Sequence, residues 1–322
     1  SDLVGTSLDL PIPYEKSAAE PKTLSAELIG DNKQSSLSIK LGNDVEFWGG
    51  FNADNGSQLA FYDVMIGRHF RLGDRLNKQY GHIHVDLPKV DLAQWLPLIN
   101  RFSATAEPEV VASLIRDRIL TVAELPDTEL QQPISPAVDA NLATPAFPPL
   151  AGIHANIGQL TVLGQSFDKL HFDAKPTEHV WRFDAQSQQF DGRIDFYANW
   201  RDQGIKVVAS KLHLLPTASA TKCDDLSPTV MLQNLPTLAI DVDDFSVNNL
   251  SLGHLVLQGL PVEQGYQFQT LSLTKPTVTL QANGLWSVDN GTEKTSFEVN
   301  LQADKFDDLS TILNINPGLE DA

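Results

Sequence analysis

The chain has 322 residues, 42% hydrophobic and 20% charged, enough for about two compact domains or one elongated one. Lys and Arg number 23 against 41 Asp and Glu, a net charge of −18, which repels phosphate backbones and argues against sequence-independent nucleic-acid binding. Cys223 is the single cysteine, which excludes an internal disulfide and a Cys-based zinc site, and no apolar run approaches the roughly 18 residues of a membrane span.

Period-two alternation in short runs dominates the chain from Leu37/Ile39/Leu41 and Ile83/Val85/Leu87 onward. It continues through Leu160/Val162, Leu170/Phe172, Ile194/Phe196, Ile205/Val207 and Leu212/Leu214. The last third carries Ile240/Val242, Phe245/Val247, Leu250/Leu252, Leu255/Leu257, Leu271/Leu273, Val278/Leu280 and Phe297/Val299/Leu301. Alternation of this kind makes strands with one apolar and one polar side. Short spacing and recurrent turns such as Asp191-Gly192 favour antiparallel meanders over βαβ units. Helical spacing is confined to Asp91–Phe102, Glu107–Leu120 and Asp304–Leu313. Six prolines between Pro126 and Leu150 mark an extended connection.

The expected organisation is an N-terminal mixed β unit with two helices over 1–125 and a Pro-rich connection over 126–150. Two β repeat units follow, over 151–234 and 235–322, the second with a terminal helix. The repeat has an offset of 85: Ile157, Leu160, Phe167, Leu170, Phe172 and Phe183 align with Val242, Phe245, Leu252, Leu255, Leu257 and Phe268. Each unit holds about five strands, and such units stack along one direction.

An amphipathic sheet must cover its apolar side. A second sheet, helices or a ligand could do so. The helical segments are too few to cap more than the ends, so the sheet either folds onto itself or leaves an apolar trough.

Several motifs, in order, resemble the AsmA-like family and within it the YhdP-like proteins. They are Leu10-Pro11-Ile12-Pro13-Tyr14-Glu15-Lys16, Asp91-Leu92-Ala93-Gln94-Trp95-Leu96, Leu235-Pro236-Thr237-Leu238, Leu252-Gly253-His254-Leu255, Ala282-Asn283-Gly284-Leu285-Trp286 and Asp304-Lys305-Phe306-Asp307-Asp308-Leu309. The upstream repeat departs from the pattern, with Asp168 where Gly253 stands and Ala198-Asn199-Trp200 lacking the glycine. The resemblance implies a mainly β fold of curled antiparallel sheets forming an elongated groove of the bridge-like lipid-transfer type, with a few short α-helices. It also implies the periplasmic part of an inner-membrane-anchored protein of Gram-negative bacteria that moves phospholipids towards the outer membrane. The chain opens Ser1-Asp2-Leu3 and reads as an interior fragment.

Alternation parity nominates as groove-lining residues Leu160, Val162, Leu170, Phe172, Phe183, Ile194 and Phe196 from the first unit. The second contributes Phe245, Val247, Leu252, Leu255, Leu257, Phe268, Leu271, Leu273, Val278, Leu280, Phe297, Val299 and Leu301. The expected partners are phospholipid acyl chains, the remainder of a longer chain and envelope proteins, with no nucleic acid and no cofactor.

Other candidates carry weaker chemistry. His82-x-His84 has metal-ligand spacing, but a solvated strand face explains it without a third ligand. Asp241, Asp243 and Asp244 read as an exposed strand edge, since calcium needs more converging oxygens. Cys223 reads as a passive loop thiol. Trp48, Trp181, Trp200 and Trp286 read as core or edge packing, and Trp95 as the staple of its helix. No nucleophile elbow, P-loop, dinucleotide fingerprint or zincin motif is present, so catalysis is not expected. Two rival readings remain at this point: a closed structural module, and an adaptor that offers sheet edges for strand addition.

Overall fold

A computed structural model describes residues 1–9, 11, 14–30, 34–52, 59–74, 76–95, 147–162, 164–177, 180–197, 203–215, 235–263, 265–289 and 292–304. They form one curled, unclosed sheet of fifteen strands in sequence order. The N-terminal strands are β1 (Leu24–Gly30), β2 (Gln34–Leu41), β3 (Val45–Asn52), β4 (Leu59–Ile66) and β5 (Tyr80–Asp91). Five more follow: β6 (Leu150–Val162), β7 (Gln165–Pro176), β8 (Val180–Gln186), β9 (Phe190–Tyr197) and β10 (Ile205–Leu214). The last five are β11 (Leu238–Val247), β12 (Leu250–Val262), β13 (Gly265–Lys275), β14 (Val278–Asp289) and β15 (Thr292–Ala303).

The offset of 85 maps β6 to β10 onto β11 to β15 in order, so each copy of the repeat is five strands. Most neighbours are antiparallel, as the alternation predicts. Three pairs are parallel instead: β4 with β5, β5 with β6, and β10 with β11. Each is joined by a connection longer than a hairpin, which carries the chain back to the starting end before the next strand begins. Only one turn of the first helical segment, Leu92–Trp95, lies among the described residues. The segments over Glu107–Leu120 and 305–313 lie outside them, as do Cys223 and Trp200.

Register puts apolar residues opposite apolar residues along the whole sheet. Leu273 faces Leu255 and Leu280, which in turn faces Leu301. Phe183 faces Ile194, which faces Val207 and, through it, Ile240. Strict period two is broken at irregularities that run through adjacent strands together, in the first copy with the register kept. In β6 the inward set passes from Ile157 to Leu160, and in β7 from Leu170 to Phe167. Lys169 adopts φ 53 there, and the absent side chain of Gly158 leaves the Pro88 carbonyl 2.5 Å from where a Cβ would sit. The second copy repeats the device, from Val242 to Phe245 and, across Gly253 at φ 82, from Leu255 back to Leu252. Each such step reverses side-chain parity, and matching steps in neighbouring strands keep the apolar side continuous.

Glycines let aromatic rings lie flat over the neighbouring strand. Phe268 and Phe297 meet at 5.4 Å across β14, over Gly284. Tyr266, 1% exposed, lies over Gly259 and donates its hydroxyl to the Pro236 carbonyl at 2.9 Å. A Cβ at Gly284 would meet the Phe297 ring at 2.5 Å and the Ser296 carbonyl at 2.3 Å. Gly284→Ala is therefore expected to destabilise the protein by about 1–3 kcal/mol through overpacking, read as a lower midpoint in urea unfolding. An unchanged midpoint would contradict this packing.

Candidate functional site

Two chemically opposite surfaces result from the alternation. The apolar side holds two core clusters. One gathers Tyr14, Leu87, Val90, Ala155, Ile157 and Leu170, and the other Phe190, Ala209, Val242 and Leu255. All the groove-lining candidates fall on this side by register and bulge position. They do not form one sealed interior. Leu170, Leu255 and Val278 are buried at 7%, 5% and 4% exposure, whereas Phe297 and Val299 are 40% and 55% exposed. The remaining candidates are half-buried. Only neighbouring strands share substantial backbone contact, so the described residues place no second sheet on this side.

Part of the apolar side has a cover that alternation does not reveal. Tyr14, 4% exposed, meets Trp95 edge-on at 5.9 Å, in a cluster against which Val45, Ile66, Val85 and Leu160 also pack. Burial, with a smaller contribution from the Asp44 carboxylate, pushes the Tyr14 hydroxyl up to about 12. The segment bearing Tyr14 is pinned by Lys16, whose ammonium donates to the carbonyls of Leu3, Thr6 and Ser17 at 2.8, 2.6 and 3.0 Å. Neither Tyr14 nor its segment has any periodicity that would have announced this role. Trp95 does staple its helical turn to the sheet, as its sequence context suggests. Trp181 and Trp286 share the apolar side by register, while Trp48 lies on the polar one against Phe61 at 5.1 Å.

The polar side is laced by charge pairs between adjacent strands. Arg182 grips Asp195 at 2.7 and 2.9 Å, holding that carboxyl below the usual carboxylate range. Arg193 pairs with Asp184 at 2.9 Å. A concavity of about 720 Å³ on this side, over β7 to β10, is lined by these groups together with Lys206, Asp173 and Asp191. Its lining is unsuited to hydrocarbon. Histidines follow the same rule: His154 pairs closely with Asp173, His213 with Asp244 at 3.0 Å, and His254 with Asp241 at 2.7 Å.

These pairings decide the metal-ligand candidates. Asp241, Asp243 and His254 bring donor atoms within 4.8 Å of one another, yet both aspartates are exposed and His254 Nε2 is already engaged. Asp244 turns away to His213, and β11 is an interior strand rather than a sheet edge. His82 and His84 depart from expectation. They are not solvated, since the connection from β4 to β5 crosses the polar side above them. It is held by Glu46 accepting from Phe70 N at 2.9 Å, Asp63 from Asn77 N at 3.2 Å, and Asp86 from Arg68 at 2.7 Å. Asp63 is fully buried and accepts from His84 Nε2 at 2.9 Å. The Asn77 carbonyl oxygen takes the Gln79 N–H, so its amide nitrogen donates to His82 Nε2 at 3.1 Å. The proton of neutral His82 therefore sits on Nδ1, which has no partner and cannot ligate a metal in that form.

Burial holds the His82 pKa below the usual imidazole value, against the opposing pull of Asp63 and with help from His154 and His84. A histidine whose folded pKa is depressed contributes stability that is complete above its unfolded value of ~6.5 and is lost as pH falls through the folded one. Stability should therefore decline as pH drops below about 6.5. In His82→Gln this part of the slope should flatten, measured by urea unfolding at a series of pH values. A slope identical to that of the unsubstituted protein would contradict the assignment.

The described residues thus define a curled, unclosed amphipathic β-sheet, apolar on one side and ion-paired on the other. The whole chain, residues 1–322, matches the family model described as YhdP protein, and the chain belongs to the YhdP family. No curated protein and no solved structure matches it. Among the described residues no helix is long and apolar enough to cross a membrane.

Proposed function

We propose that this chain is a section of a periplasmic conduit that carries phospholipids between the inner and outer membranes without catalysis. Acyl chains lie along the apolar side of the sheet and headgroups stay in water. The observation that carries the reading is the unsealed apolar side, continuous in register across fifteen strands. Family membership supports it, because the YhdP family is a lipid-transport family.

Energetics favour conduction over tight binding. Burial is worth about 0.8 kcal/mol per methylene, so half-covering a ~16-carbon tail gives ~6 kcal/mol. That corresponds to a dissociation constant between micromolar and millimolar. A uniform wall of that strength holds a tail out of water and still lets it slide. A closed structural module would instead bury its inward residues in a second layer, which 55% exposure at Val299 does not favour.

The test should use exposed apolar positions. Leu255 is 5% exposed and part of a core cluster, so a charge there would unfold the sheet rather than report on lipid. Val299→Asp is expected to leave the circular-dichroism spectrum unchanged. It should lower by severalfold the phospholipid recovered in organic extracts of the purified chain, read by mass spectrometry. Equal lipid in both proteins, or none in the unsubstituted one, would contradict the proposal.

A further inference from the structure

By register, the described strand positions on the apolar side carry two charged residues, Lys275 and Glu293. Lys275 ends β13 and faces Val278, continuing the line of Leu271 and Leu273. It lies at the end of the sheet where β13 turns into β14. Glu293 begins β15 at the opposite end, where β12 also finishes beside the exposed Glu263.

The stem of Lys275 crosses the neighbouring strand. Its Cγ is 2.7 Å from the place a Cβ would occupy on Gly253, the residue opposite Phe245. The side chain thus sets out across β12 at this end of the sheet, where a four-carbon stem can lie on apolar surface with its ammonium in water. Several cations of the polar side find carboxylates, as Arg182, Arg193 and Arg68 do. Among the described residues, Lys275 has no carboxylate within 4.0 Å.

We propose that Lys275 anchors the phosphate of a lipid headgroup, so that over β11 to β14 headgroups ride along the lip formed by the β13–β14 turn. This rests on the conduit reading and adds an orientation to it. The chemistry is that of an amphiphile with alkyl tails and one phosphate: the tails meet the face that carries Leu273 and Leu280, and the phosphate meets the one cation set on that face. In a chain of net charge −18, a phosphate has few other favourable places on this side.

The experiment compares dihexanoyl phosphatidylglycerol with dihexanoylglycerol, which has the same tails and no phosphate, by calorimetric titration of the 322-residue chain. The unsubstituted chain is expected to bind the phosphate lipid about threefold to tenfold more tightly, as for a partly exposed charge contact. Lys275→Gln should remove that ratio without weakening dihexanoylglycerol, Lys275→Arg should restore it, and Lys206→Gln on the polar side should leave it intact. A ratio unchanged in Lys275→Gln overturns the anchor while leaving the conduit standing. Inorganic phosphate that binds as well as the phosphate lipid makes this a free-anion site and overturns the anchor too. Failure of the unsubstituted chain to bind either lipid overturns the conduit reading itself.

Discussion

Every structural feature described here follows from one constraint: strand after strand is apolar on one side and polar on the other, and among the described residues no second layer of backbone closes over the apolar side. In a compact domain two such sheets would face each other about 10 Å apart. Here a single sheet curls, and its apolar residues pack mainly against one another along the ladder. That leaves a face partly in contact with water, which is costly for an isolated protein and useful for one that must accommodate hydrocarbon.

Keeping that face continuous over fifteen strands needs more than alternation. A single uncompensated bulge would turn half a strand's side chains to the wrong side. The solution is collective: Pro88, Gly158 and Lys169 shift parity together in three adjacent strands, and Gly253 serves the same end in the second copy. Glycine does this without strain at φ 82, whereas Lys169 adopts a left-handed conformation that costs an L-residue about 1 kcal/mol or more. The polar side is organised by a complementary rule, in which Arg–Asp and His–Asp pairs tie each strand to the next. Such pairs add little individually when exposed, but they give the outer surface a register of its own.

Much of this was legible before any coordinates. Alternating runs gave the strands and their apolar sides, and the offset of 85 gave the five-strand copies. The three parallel junctions were not legible, because alternation gives a strand's two faces and not its direction relative to its neighbour. The burial of His82 followed from the same cause, since the β4–β5 connection returns over the polar side and turns a strand face that reads as solvated into an interior. Tyr14 stands in one of the motifs that carry the family resemblance, but its burial was not legible, because its segment has no periodicity. Lys275 continues the parity of Leu271 and Leu273 in the sequence, but only register showed which side of the sheet that line faces.

The central claim is that hydrocarbon reaches the apolar side of every strand in both copies. Its most direct test is a photocrosslinking scan, with a benzophenone amino acid placed one position at a time along β8, β11, β13 and β15 in cells and lipid adducts read by mass spectrometry. The account predicts adducts at alternate positions, on the side of Phe183, Ile240, Leu273 and Val299, and not at their neighbours. Adducts confined to protein, or equal at both parities, would contradict it.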